Sequence, residues 1–154
     1  MTDSAPLPSC YADTTLLPLS KSRPMILVAA VVLIDNEGRV LLAQRPKEKP
    51  MGGLWEFPGG KVHDKELPEE ALVRELREEL GIKTASGCLF PLTFASYPYT
   101  EFHLLMPIYA CHAWQGTPRP REGQNLAWVK KDDVHNYALL PADKRVLPVL
   151  FGLI

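Results

Sequence analysis

Glu75, Glu78 and Glu79, with Glu66 upstream and Arg74 beside them, are the residues of this chain whose types and spacing most clearly suit chemistry. They lie in the 23-residue stretch GKVHDKELPEEALVRELREELGI, which runs from Gly60 to Ile82. At about 100° per residue, a helix over Pro68 to Leu80 puts Leu72, Val73, Leu76 and Leu80 on one arc and the three glutamates on an adjoining one. Like charges at those offsets destabilise a helix by a few tenths of a kcal/mol per pair, and more where an apolar stripe draws them from water, so a cation is expected to relieve them. Hard oxygen donors at this density suit Mg²⁺, with Mn²⁺ as the alternative, in a site that leaves positions for water and substrate phosphates. The competing interpretation is a solvated face on which Glu70, Arg74 and Glu78 form an i, i+4 charge ladder.

The flanking residues favour the metal. Gly60, Glu66, Arg74, Glu75, Leu76, Glu78, Glu79, Gly81 and Ile82 fit the pattern G-x5-E-x7-R-E-U-x-E-E-x-G-U without a mismatch. At typical residue frequencies, seven fixed identities coincide by chance at about one in 10⁸ starting positions. The stretch resembles the box that defines the Nudix hydrolases. Ala43-Gln44-Arg45, Met51, the run from Trp55 to Lys61, Arg121-Glu122-Gly123-Gln124 with Trp128, and Pro141-Ala142-Asp143 are similar to the MutT branch of that family. Members of that branch hydrolyse oxidised purine nucleoside triphosphates such as 8-oxo-dGTP. The likeness extends over roughly residues 25 to 153.

The resemblance implies that Glu75, Glu78 and Glu79 are carboxylate ligands, joined by the Gly60 backbone carbonyl and by Glu122 from a separate loop. Arg74 is then the residue that pairs with the box glutamates and orients them, and Glu66 anchors the loop into the helix. One glutamate, from the box or Glu122, would serve as general base; spacing does not assign it. Glu122 read alone is also an ordinary exposed loop acid. For the substrate, the likeness points to Gly59 and Lys61 near the phosphates, and to Arg45 on a phosphate or the base. Phe57 is either an apolar wall for the base or a core side chain. Asp143 stands where the branch commonly has an asparagine that reads the purine, and an ionised carboxylate can only accept hydrogen bonds there. Two further departures are Lys65, where glycine is common, and Leu67, where a capping Thr or Ser is common; loss of the cap costs about 1 kcal/mol.

The elements that must position these groups are those of one small domain. The chain has 154 residues, 46% of them hydrophobic, and a formal charge of -1, which suits a single core and a small-molecule substrate rather than a nucleic-acid polymer. Cys10, Cys88 and Cys111 form no C-x-x-C pair, so neither a disulfide framework nor a zinc site is indicated and a cytoplasmic location is expected. No apolar run is long enough for a membrane span. Residues 1–22, with Pro6, Pro8 and Pro18, are expected to be a flexible tail without a secretory signal, and residues 23–154 the folded domain.

Within that domain, Ile26 to Ile34 is expected as a strand buried on both faces, joined through Asp35-Asn36-Glu37-Gly38 in a hairpin to a strand over Arg39 to Gln44. Strands are also expected over Cys88 to Ser96, Phe102 to Trp114 and Asn125 to Val129, with Pro107 confined to an edge or bulge. A terminal helix over Pro141 to Phe151 would have to be kinked or ended by Pro148. The fold class is α+β, and the resemblance implies an α/β/α sandwich with a mixed sheet, acting on nucleoside triphosphates as a monomer or homodimer. Two alternatives stand beside this function. One is hydrolysis of another nucleoside diphosphate derivative, such as a dinucleoside polyphosphate, ADP-ribose or a pyrimidine triphosphate. The other is a non-catalytic nucleotide-binding module.

Overall fold

The computed structural model describes residues 23–153, so the tail expected over residues 1–22 lies outside the described residues. Seven strands and three helices follow in the order β1 (Met25–Leu33), β2 (Arg39–Gln44), β3 (Trp55–Glu56), β4 (Gly59–Lys61), α1 (Pro68–Leu80), β5 (Phe90–Pro98), β6 (His103–Cys111), β7 (Asn125–Lys130), α2 (Pro141–Lys144) and α3 (Leu147–Leu153). The strands make two sheets, one in the order β4-β1-β6-β5 and the other β3-β2-β7. The first sheet is mixed, because β1 runs parallel to β6 while β4 and β5 run antiparallel to their neighbours.

Alternation along β1 explains the layers. Ala29, Val31 and Leu33 point one way and bury Leu72, Leu76 and Leu80 of α1. Ala30 and Val32 point the other way, toward Val40 and Leu42 of β2, Val129 of β7, Ala142 of α2, Leu150 of α3 and Val146 between those helices. The result is the expected α/β/α sandwich. Only the second half of β1 is buried on both faces, however; Met25 and Leu27 remain exposed.

Three further expectations are corrected. The turn at Asp35 forms, its Oδ1 accepting from the backbone N–H of Glu37 at 2.9 Å and of Arg39 at 2.8 Å. Yet β1 and β2 do not form a hairpin: they pair only at the Ile34–Val40 bridge and then diverge into separate sheets. Burial on both faces makes each strand more useful to its own layer than to its sequence neighbour. Pro107 lies in β6, an interior strand, rather than at an edge or bulge; pairing of β6 with β1 lapses between Leu27–Leu105 and Ala30–Ile108, which removes the need for an N–H there. Finally, the terminal helix breaks before Pro148 instead of at it. Pro148 falls in the first turn of α3, where a missing N–H costs nothing.

Candidate active site

Helix α1 begins as the sequence departures forewarn. Leu67 is its N-cap and offers no side-chain acceptor; the one reciprocal bond left is from the Leu67 N–H to the Glu70 carboxylate at 3.2 Å. Lys65 adopts the left-handed region at φ 64°, which is why a glycine suits that position. Gly81 ends the helix at φ 68°, donating to the carbonyls of Leu76 and Arg77.

Arg74 is the hub of the box. Its Nε donates to Glu66 Oε2 at 2.9 Å, Nη1 to Glu75 Oε1 at 2.8 Å, and Nη2 to Glu66 Oε1 and the Lys61 carbonyl, each at 3.0 Å. Glu66 in turn accepts from the His63 N–H at 2.9 Å, which ties the loop to the helix. Hydrogen bonds from Arg74, then from the His63 N–H, hold the Glu66 carboxyl down to about 2. Arg74 thus bonds both Glu66 and Glu75, and Glu66 joins the loop to the helix.

Strand β4 lays two glycines against this hub. Gly59 and Gly60 pair with Ala30 and Ala29 of β1. A Cβ on Gly59 would collide with the Ala29 carbonyl, and one on Gly60 with the Glu75 carboxylate. The absence of side chains therefore lets the Glu75 carboxylate lie directly over the backbone of Gly60.

The loop carrying Glu122 is fastened to the other end of the helix. The N–H of Arg121 and Nε2 of Gln124 both donate to the Glu79 carbonyl, at 3.0 Å each, and the N–H of Arg119 donates to the Leu80 carbonyl at 2.9 Å. Gln124 also accepts from the Glu122 N–H at 2.8 Å. Carbonyls left over at a helix C-terminus thus become the anchor for the fourth acid.

Glu75, Glu79 and Glu122 line a cleft of about 320 Å³, together with Gly59, Gly60, Lys61, Arg45, Lys49 and Glu56. Burial pushes the Glu79 carboxyl well above the usual carboxylate range, and the charge of Glu75, a hydrogen bond shared with it and the charges of Glu122 and Glu56 push it further. Such a group resists ionisation until positive charge arrives. Hard oxygen donors facing one cleft, with a carboxyl that burial holds protonated, are the donor chemistry a divalent cation satisfies. Among the described residues, no three acidic, histidine or cysteine side chains already stand gathered around a single point.

Glu78 departs from the expected three-carboxylate edge. Its side chain is 54% exposed, leans on Arg74 one turn earlier at 3.5 Å, and borders a separate surface groove with Glu70 and Arg77. Arg74, whose Nη1 also holds Glu75, draws Glu78 to that flank of the helix and away from the cleft.

A second cavity, of about 360 Å³, adjoins the cleft and has an apolar lining that includes Phe57, Tyr99, Phe102, Leu104 and Met106. Asp143 closes it. This side chain is only 3% exposed, and its Oδ1 accepts from the Phe57 N–H at 2.9 Å. Burial raises the Asp143 carboxyl to about 7, against the lowering effect of that N–H. Phe57 packs in the core and also lines this cavity. Arg45 reaches both cavities and pairs with Glu56 at 3.3 Å.

Reasoning from the sequence missed Glu56, Lys49, Tyr99 and Phe102. Glu56 alone carried a signal, a single charge between the aromatics Trp55 and Phe57. The others come from segments with no spacing relation to the box.

Residues 29–148 match the family model for the NUDIX domain. This chain belongs to the NUDIX family. It is an enzyme of the Nudix pyrophosphohydrolase class, and family members generally depend on a divalent metal ion. A CTP pyrophosphohydrolase of Escherichia coli is 40% identical over 131 residues, covering 84% of this chain and 93% of the relative. An 8-oxo-dGTP diphosphatase of the same species is 33% identical over 122 residues, covering 79% and 93%. The crystal structure of a MutT NUDIX hydrolase from Burkholderia pseudomallei matches with a TM-score of 0.73 at 30% identity, covering 86% of this chain and all of that one at 100%. The α+β Nudix fold is shared. Among the described residues, no helix is long and apolar enough to cross a membrane.

Proposed function

We propose that this Nudix enzyme hydrolyses oxidised purine nucleoside triphosphates such as 8-oxo-dGTP to the monophosphate and pyrophosphate, cleansing the cytoplasmic nucleotide pool before DNA replication and so limiting mutation. The observation that carries this reading is the juxtaposition of an acidic cleft with an apolar cavity closed by one buried carboxyl. A triphosphate with its metal suits the first, and a flat base suits the second.

Glu75, Glu79 and Glu122, with the Gly60 carbonyl and a reoriented Glu78, are the groups that would hold Mg²⁺, or Mn²⁺ in its place. When bound, the ion neutralises phosphate charge and lowers the pKa of water. Arg74 keeps Glu75 in place for that purpose, and Lys61, Lys49 and Arg45 supply positive charge to the phosphates. A glutamate of the box or Glu122 accepts the proton of the attacking water. Phe57 walls the base cavity and Asp143 reads the edge of the base. With its carboxyl at about 7, Asp143 is available near neutrality both as an acceptor and, when protonated, as a donor.

A second reading, a pyrimidine triphosphate such as CTP, is favoured by the 40% identical relative named for that substrate and by Asp143. The exocyclic amine of cytosine is a donor that an acceptor-only carboxylate takes well. Pyrophosphate release with Mg²⁺ should be measured on dGTP, 8-oxo-dGTP, dCTP, CTP, ADP-ribose and a dinucleoside tetraphosphate. A large preference for 8-oxo-dGTP is expected; faster turnover of CTP or dCTP would move the assignment to the second reading, and preference for either of the last two would end both.

A further inference from the structure

A nucleoside triphosphate seated with its phosphates in the cleft and its base in the apolar cavity must pass its sugar across the wall the two share. That wall consists of Val28, Arg45, Glu56, Gly59 and Lys61. Glu56 is its only carboxylate. It sits at the end of β3 opposite Ala43, one residue before the Phe57 N–H that binds Asp143. Its charge acts on Glu79 at the cleft end and on Asp143 at the cavity end, raising both carboxyls, as expected of a group standing between them.

The pairing of Glu56 leaves it free to bind something else. One nitrogen, Nη1 of Arg45, lies 3.3 Å from both carboxylate oxygens, while Nε of Arg45 is committed to the Pro50 carbonyl at 2.9 Å. A guanidinium–carboxylate pair built for stability has two parallel bonds of about 2.7–2.9 Å. This one is long and one-sided, so acceptor capacity remains on a side chain that is 28% exposed and lines both cavities. A carboxylate pairs with donors, and the only donors on a nucleotide sugar are its hydroxyls. In a deoxynucleotide the one available is the 3′-hydroxyl.

Building on the triphosphate reading above, we propose that Glu56 is a specificity-determining residue that accepts a hydrogen bond from the 3′-hydroxyl of the substrate sugar. The test compares pyrophosphate release from dGTP with ddGTP and from dCTP with ddCTP, in the wild-type enzyme, Glu56→Met and Glu56→Gln. Met keeps the length of the side chain and removes the acceptor; Gln keeps one acceptor oxygen. The wild-type enzyme is expected to favour the deoxy over the dideoxy form in kcat/KM by about 10- to 100-fold, the range of a hydrogen bond to a charged group. Glu56→Met should bring that ratio to within about twofold of unity, with Glu56→Gln between the two. A Glu56→Met or Glu56→Gln enzyme that loses rate equally on both sugars, with the ratio intact, overturns the assignment while leaving triphosphate hydrolysis standing; so does a wild-type ratio near one. Absence of hydrolysis of every triphosphate by the wild-type enzyme would instead overturn the underlying function, and this assignment with it.

Discussion

The acidic cleft and the apolar cavity share a wall but are assembled in opposite ways. Two of the cleft's acids, Glu75 and Glu79, and the glycines they face, Gly59 and Gly60, come from one continuous segment, β4 through α1, in which a fixed spacing turns sequence positions into neighbouring side chains. The cavity gathers Phe57, Tyr99, Phe102, Met106 and Asp143 from four separate elements or loops. Groups that must meet a metal need reproducible geometry, which a helix supplies; groups that enclose a base need only complementary shape, which many side-chain combinations satisfy. The chemistry is therefore expected to be brittle in the cleft and adjustable in the cavity.

The largest effect that would break this contrast belongs to the cleft. Glu79→Gln should reduce turnover on the order of 10³-fold on every triphosphate, with an unchanged circular dichroism spectrum, and EDTA should do the same to the wild-type enzyme. A Glu79→Gln enzyme with near-normal rates would remove the acidic edge from the mechanism. Gly60→Ala should cost on the order of 10²-fold in kcat/KM, because the added methyl group displaces the Glu75 carboxylate; a steady-state assay that found less than a twofold loss would show that this contact is dispensable.

In the cavity the expected change is one of preference. Asp143→Asn should alter the ratio of 8-oxo-dGTP to CTP hydrolysis by about tenfold while retaining turnover on the better substrate, since an amide both donates and accepts. The same variant has a signature in stability. Burial raises the Asp143 carboxyl to about 7 in the folded protein from an ordinary 3.8, so between those values the native state holds a proton that the unfolded chain has released. Stability then falls as pH rises through that window, by roughly 1–4 kcal/mol, and levels off above it. Thermal melts from pH 4 to 8 should show a shallower decline for Asp143→Asn; parallel curves would refute the titration.

The smallest effect tests the scaffold alone. Leu67→Thr supplies the missing cap at the start of α1 and should raise unfolding free energy by about 1 kcal/mol in a urea titration, with kcat/KM unchanged.

How far the sequence anticipates the structure follows the same division. The bounds of α1 and its end at Gly81 are readable from spacing, and the pairing of Arg74 with box glutamates from the family resemblance, since they depend on residues within a few turns of one another. Pairing between distant strands is not. The separation of β1 from β2, and the interior position of Pro107, depend on which faces other segments bury, and no local pattern in Met25–Gln44 encodes that competition. Asp143 is readable as a candidate through its likeness to a known motif, but its burial and its bond to the Phe57 N–H join positions 86 residues apart. The outward lean of Glu78 depends on the side-chain conformation of Arg74 rather than on helical angle alone.

The fastening of the Glu122 loop on the carbonyls of Glu79 and Leu80 has an evolutionary corollary. Because the acid is referenced to the helix and not to the strand preceding it, the residues between Gln115, which pairs with Lys83, and Arg119 can change in number over generations without shifting the acidic cleft. Length changes between Arg121 and Gln124 have no such buffer, and descendants that carry them would be expected to lose the fourth carboxylate altogether.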